Sequence, residues 1–170
     1  MKKILIIGSG SIATKYINTL SHQYEIDIVT NRKIQNVKIN KIYSLFDLPP
    51  NNYDLLIIAS KTSDHLNHYY KYRHLAFKCL IEKPLNISKN ELSDSLMEDQ
   101  NCWMSAPLRY SEKFDEIQQS IKLEVGPFQA MAVSRSWFPD WRPNRKIDDG
   151  YWNSKISGGI IREQLHELDY

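Results

Sequence analysis

A strand-like run that ends in a glycine turn and opens a helix constrains this chain more than any other feature. Lys3-Ile4-Leu5-Ile6-Ile7 goes straight into Gly8-Ser9-Gly10-Ser11-Ile12-Ala13, and a helix-like segment continues to about residue 22. The pattern is G-x-G-x-x-G/A in the order strand, tight turn, helix N-terminus, which is the order in which it takes up a dinucleotide. Gly8 suits the sharp turn. Gly10 puts no side chain between the backbone and a pyrophosphate. Ala13 is small enough for the helix to lie close on the strand. The unpaired N–H groups of the Ser11-Ile12-Ala13 turn, at the positive end of the helix dipole, then face the phosphates. A glycine pair alone is weak evidence. The strand before it and the small third residue carry the reading.

The rest of the chain alternates in the same way. Tyr24 to Thr30 reads as a second strand, residues 37–43 as a short third, and Pro49-Pro50-Asn51-Asn52 as a turn. Asp54 to Ser60 is a continuous apolar run, the mark of a strand buried on both faces of a parallel sheet. Residues 64–75 look helical, and Phe77 to Ile81 is another strand. Ser88 with Glu91 forms a capping box for a helix to about Glu98, and Cys102 to Ser105 is a further strand. The expectation is an α/β fold, a Rossmann-like doubly wound parallel sheet over residues 1–108, succeeded over 109–170 by the start of an α+β domain. In that second part, residues 111–123 suggest an amphipathic helix with Phe114, Ile117 and Ile121 on one face. Phe128 to Trp137 reads as a strand and residues 138–158 as a long loop. Gly158-Gly159 leads into a helix over Ile160 to Tyr170, which stops without a C-cap.

Composition narrows the partners. A net charge of +2 over 170 residues is far from the basic excess of a nucleic-acid binder. No apolar run reaches the roughly 18 residues of a membrane span. The apolar stretch after Met1-Lys2-Lys3 is too short for a signal peptide, so a cytoplasmic location is expected. Cys79 and Cys102 lack metal-ligand spacing and read as buried free thiols, and no metal site is expected.

Three segments beyond the glycine turn carry polar groups at strand ends. The second strand runs into Thr30-Asn31-Arg32, where an NAD site would put an acid for the ribose 2′-OH. Asp27 is too early and no acid comes after it. A hydroxyl, an amide and a guanidinium suit a 2′-phosphate better, which favours NADP(H) over NAD(H); the plain alternative is that Arg32 and Lys33 are merely solvated. Ser60-Lys61-Thr62-Ser63-Asp64-His65 comes after the most buried strand. Ser60, Thr62 and His65 then stand at the ligand-binding edge; the other reading is that Thr62 or Ser63 caps the next helix and His65 merely starts it. Glu82-Lys83-Pro84 comes after the next strand at the same edge. Lys83 there is placed to hold a substrate oxygen, Glu82 to orient it, and Pro84 admits a cis bond. A solvated Glu–Lys pair is the bland alternative.

Taken in order, GSGSIA, IASKTSDH, EKP, PLRY, SWFPDWRP and GGIIREQLHELD resemble the Gfo/Idh/MocA oxidoreductases, the glucose–fructose oxidoreductase and inositol dehydrogenase family. The likeness covers essentially the whole chain. The form of SWFPDWRP and HELDY looks most like members from bacterial surface-polysaccharide and nonulosonate gene clusters. The resemblance implies hydride transfer between a nicotinamide cofactor and a carbinol carbon of a sugar-like small molecule. It implies that Lys83 contacts substrate oxygen and nicotinamide, and that His166 acts as acid or base. Arg109 in PLRY and the pair Trp141-Arg142 would lie near the cofactor, and a homo-oligomer is implied for the full-length family form. Two departures stand out. Arg162 occupies the place, four before the histidine, where many members carry Asp. A carboxylate there would raise the basicity of the imidazole and a cation would lower it, so Glu163 or Asp169 is the candidate substitute. Members are also longer, with an open-faced antiparallel sheet after the nucleotide domain. The alternative expectation is therefore a truncated nucleotide-binding fragment or module without turnover.

Overall fold

The computed structural model describes residues 1–34, 38–50, 52–85 and 94–123, with Gly126, Pro127, Gln129 and Met131. The chain divides into two compact units, Met1–Ser105 and Ala106–Tyr170.

The first unit is built on six strands: β1 (Lys3–Ile7), β2 (Glu25–Val29), β3 (Lys41–Tyr43), β4 (Tyr53–Ile58), β5 (Ala76–Ile81) and β6 (Cys102–Met104). They form one sheet in the order β3-β2-β1-β4-β5-β6, and every pairing is parallel. The central strands are apolar on both sides because both faces are covered. Leu5, Ile7, Leu56, Ile58, Cys79 and Ile81 point into one core. Ile4, Ile6, Ile26, Ile28, Ile57 and Ala59 point into the other. Helix α1 (Ser11–Leu20) closes the second face with Ala13 and Ile17. Helix α2 (His65–Tyr72) closes the first with Leu66, Tyr69 and Tyr72. The chain runs outward from β1 in one direction through β2 and β3, then returns and runs the other way through β4, β5 and β6. The reversal leaves a crevice at the C-terminal ends of β1 and β4, where ligands of such sheets bind.

Asp27 is a buried carboxylate inside β2. The Tyr53 hydroxyl donates to it at 2.6 Å and the Asn40 amide at 2.8 Å. It is thereby engaged in joining β2 to β4 and the entry to β3, and Asp27 is a structural group.

Several elements differ from the sequence reading in extent. The helix expected over 64–75 is α2 flanked by two 3-10 turns, Thr62–Asp64 and Arg73–Leu75. The third strand is only Lys41–Tyr43, and the described residues 38–40 before it are not strand. Edge strands have one partner and shed residues readily. The Ser88–Glu91 capping box lies outside the described residues; the helix there, α3, is seen as Asp94–Met97. Cys79 is buried, but its register partner Cys102 is only partly so, because β6 is the sheet edge; both are free thiols.

The described part of the second unit is a 3-10 turn, Pro107–Tyr110, and then α4 (Glu112–Leu123). No residue of α4 is buried, and Ile117 and Ile121 are exposed. The strand expected over Phe128 to Trp137 lies outside the described residues apart from Gln129 and Met131, which are not strand. The loop over 138–158 and the final helix lie outside them altogether. Among the described residues no helix is long and apolar enough to cross a membrane, and no group of side chains could hold a metal ion.

Candidate functional site

The two glycines of the turn are glycine for different reasons. Gly8 has φ +109°, in the region that L side chains rarely adopt. Its N–H donates to the Val29 carbonyl at 3.0 Å, and the Ala59 N–H donates to the Ile7 carbonyl at 2.9 Å. The chain is so close there that a Cβ on Gly8 would lie 2.5 Å from the Ala59 carbonyl oxygen. Gly10 is extended, with φ −75° and ψ −176°, a conformation open to any residue. A Cβ on Gly10 would meet nothing within 4 Å. Neither backbone nor packing asks for glycine at that position. The space above it is open, at the N-terminus of a helix with no side-chain cap and no acidic residue in its first turn. A pyrophosphate fits both facts. Ser11 and Ile12 are exposed beside it, while Ala13 is fully buried against the sheet.

A cleft of about 240 Å³ opens next to this turn, with Ser9, Thr30, Arg32, Lys61, Asp64 and His68 in its walls. Thr30 is buried; its hydroxyl pairs with the Ser9 hydroxyl at 2.8 Å and accepts the Arg32 N–H at 3.1 Å. Asn31 accepts the Leu45 N–H at 2.9 Å through its side-chain carbonyl, which ties β2's end to the segment after β3. Arg32 also borders a wider hollow of about 740 Å³, where it and Lys33 meet Ile42, Tyr43 and Phe46. Cations and apolar or aromatic surface are thus combined beyond β2. The sequence shows no acid near this place. The structure brings one from elsewhere: Asp64, which accepts the Ser63 hydroxyl at 3.1 Å.

The segment after β4 is organised by two histidines. The Ser60 hydroxyl pairs with His68 Nδ1 at 2.8 Å. His65 is only 1% exposed. Its Nδ1 lies 3.0 Å from the Pro84 carbonyl oxygen and its Nε2 lies 3.2 Å from that of Ser60. A neutral imidazole has one N–H to give, and the shorter contact favours Pro84. Burial lowers the pKa of both histidines. His65 is therefore a buried clip between the loops after β4 and β5, with almost no surface for a ligand. Thr62 is buried as well, and neither the 3-10 turn nor α2 has a side-chain cap bond. Sequence reasoning missed His68 and Asp64. They stand four residues apart on either side of His65, which is helical spacing, but nothing local shows that this face turns to the crevice.

Glu82-Lys83-Pro84 continues the sheet edge. The Glu82 N–H donates to the Ile58 carbonyl at 2.9 Å, and the Lys83–Pro84 bond is cis. The Glu82 carboxylate accepts the Tyr16 hydroxyl of α1 at 2.5 Å. Lys83 is half-buried. The glycine turn, Thr30, Ser60 and Glu82-Lys83 thus all stand just past C-terminal ends of neighbouring strands. Arg109 lies in the 3-10 turn Pro107–Tyr110 of the second unit. Trp141, Arg142 and His166 lie outside the described residues.

No protein-family model and no curated protein matches the chain. Solved structures do. One is the WlbA (WbpB) dehydrogenase from Thermus thermophilus in complex with NAD and UDP-GlcNAcA, 17% identical with a TM-score of 0.68, over 99% of this chain and 61% of that one. Another is scyllo-inositol dehydrogenase from Lactobacillus casei with NAD(H) and scyllo-inositol, 13% identical with a TM-score of 0.62, over 72% of this chain and 41% of that one. A third is the WlbA dehydrogenase from Chromobacterium violaceum with NADH and UDP-GlcNAcA, 15% identical with a TM-score of 0.59, over 71% and 39%. The chain thus spans between about two fifths and three fifths of the length of these proteins. At such identities the likeness is one of fold: the chain has the Rossmann-like α/β architecture of these dehydrogenases.

Proposed function

We propose that the chain is a nicotinamide-dependent oxidoreductase of the Gfo/Idh/MocA type, acting on a carbinol carbon of a sugar or sugar-like substrate. One observation carries the reading. The open backbone at Gly10 and the lysine of Glu82-Lys83-Pro84 stand on the same edge of one parallel sheet, either side of the point where strand order reverses. The first receives a pyrophosphate; the second supplies a cation beyond it. The cofactor, when bound, exchanges hydride with the substrate carbon. Lys83 would hold the substrate oxygen and stabilise charge on it, and His166 would move the hydroxyl proton. Homo-oligomerisation and a role in surface-polysaccharide metabolism belong to the same proposal and rest on the family resemblance; a cytoplasmic location belongs to it too and rests on the short apolar stretch after Met1-Lys2-Lys3. The structural neighbours that hold UDP-GlcNAcA or scyllo-inositol agree with a sugar-like ligand.

Within this reading Arg32 and Lys33 beyond β2, with Asp27 buried and engaged, support NADP(H). The neighbours hold NAD or NADH, and Asp64 in the cleft wall offers a carboxylate to a ribose hydroxyl. Fluorescence titration with both cofactors decides between them. The proposal expects tighter NADPH binding, with Arg32→Ala weakening NADPH about tenfold, or about 1.4 kcal/mol, and NADH little. Equal loss of both would remove the 2′-phosphate assignment. Absorbance with sugar substrates then tests hydride transfer. Because the matched proteins are longer, a second reading stands beside the first: a nucleotide-binding module, selected by binding without turnover. No binding of either cofactor would reject both.

A further inference from the structure

Three polar side chains from separate elements meet at the edge that carries Lys83. Tyr16 belongs to the core stripe of α1, with Ala13, Ile17 and Leu20, and its ring packs against the second core. Its hydroxyl leaves that core and donates to Glu82 Oε1 at 2.5 Å. Ser105, just past β6, has its hydroxyl 3.5 Å from the Tyr16 hydroxyl. The backbones beneath are fixed by ladder bonds, from the Glu82 N–H to Ile58 and from the Ser105 N–H to Ile81. Burial and then the Glu82 carboxylate push the Tyr16 phenol up to about 12, so it is a neutral donor across the physiological range. A hydrogen bond to a carboxylate is among the stronger kinds, and its loss leaves the carboxylate without this donor in a half-buried place.

We propose that Tyr16 is a positioning residue: its hydroxyl holds the Glu82 side chain against α1 and so sets how the next residue, Lys83, is presented at the sheet edge. That Lys83 faces a substrate rests on the function proposed above; the tie between Tyr16 and Glu82 does not. Helix α1 starts at the glycine turn. The element that offers backbone N–H groups to a pyrophosphate is thereby the element that restrains the lysine-bearing segment. Without the hydroxyl, the Glu82 side chain regains rotamer freedom beside Lys83, while the ladder bond to Ile58 still holds the backbone beneath.

The test is the acetylation rate of Lys83 in the full chain with acetic anhydride, monitored peptide by peptide by mass spectrometry. Tyr16→Phe removes one hydroxyl and should raise the Lys83 rate several-fold, while Lys41 and Lys71 keep theirs. Glu82→Ala should do the same, and the double variant no more than either single. Glu82→Gln keeps an acceptor oxygen for the phenol and should lie nearer the wild type than Glu82→Ala. An unchanged Lys83 rate in Tyr16→Phe overturns the proposal, as do single effects that add, or a Glu82→Gln that matches Glu82→Ala. Circular dichroism shows whether each variant is folded; were Tyr16→Phe to fail there, the comparison of Glu82→Gln with Glu82→Ala decides. Cofactor titration of the wild type runs alongside. Absent binding rejects the proposed function, and the labelling still decides the role of Tyr16.

Discussion

Single residues in this fold divide by what asks for them. Gly8 answers to its own chain, through a positive φ and a carbonyl 2.5 Å from where a Cβ would be. Gly10 answers to nothing in the chain. Gly8→Ala should therefore destabilise the first unit by at least about 2 kcal/mol, seen as a lower urea midpoint. Gly10→Val should leave the urea midpoint nearly unchanged and abolish NADH and NADPH binding. A Gly10→Val protein with wild-type cofactor affinity would remove the pyrophosphate assignment. The turn was legible in the sequence because its pattern, strand, two glycines and a small third residue, is contiguous, although the close approach to Ala59 behind Gly8 is not. His65 was not. Its two partners are the carbonyls of Ser60 and Pro84, and the second is 19 residues away, beyond a helix and a strand. The same distance problem hides the role of Tyr16, on which the sequence alone gives no reading, because its hydroxyl's acceptor lies 66 residues on.

At the scale of elements, the continuous apolar run at β4 marked a strand covered on both faces, whereas β2 was legible from its alternation and β-branched residues. Strand ends were less legible than strand centres: β2 is two residues shorter than the sequence reading, β3 lacks the described residues 38–40, and β4 and β6 stop short of Ser60 and Ser105, where the chain leaves the ladder. Besides its ladder to β5, the entry to β6 is held by a charged strap. Arg73, in the 3-10 turn after α2, grips Asp99 by two bonds, Nε to Oδ2 at 2.5 Å and Nη2 to Oδ1 at 3.0 Å. The Tyr69 hydroxyl and the Asn101 N–H donate to the same carboxylate. Arg73 beside it, against the opposing cost of burial, holds the Asp99 carboxyl down to about 2. A folded pKa below the unfolded value stabilises the fold above about pH 3.8 and loses that contribution as pH falls towards 2. The contribution is about 2 kcal/mol at most. Thermal melts should show a wild-type midpoint that drops between pH 4 and about pH 2, and an Asp99→Asn midpoint that is lower at pH 7 and drops less. Parallel pH profiles for the two proteins would contradict the strap.

Over the whole molecule, the order of the six strands was legible only as a class. Alternating strands and helices imply a parallel sheet, but which strand sits at the centre depends on contacts between distant segments, such as Gly8 against Ala59 and Tyr53 against Asp27. The proposed site is legible to a similar degree. Strand ends gather its first half, and its second half, Trp141, Arg142 and His166, lies outside the described residues. Among the described residues, the core clusters are composed of residues up to Cys102. Residues 1–105 expressed alone should accordingly unfold in one cooperative transition, seen by circular dichroism on heating. Loss of the transition would show that the first unit depends on residues beyond Ser105.

The contrast within the glycine turn has a consequence on an evolutionary timescale. Suppose a lineage no longer needed this chain to hold a ligand. Changes at Gly8 would still be purged, because the fold rejects them unaided. Changes at Gly10 would pass unseen and accumulate. Two positions so close in the chain would then drift at different rates, Gly10 recording how long binding has been idle and Gly8 whether the protein is still folded at all.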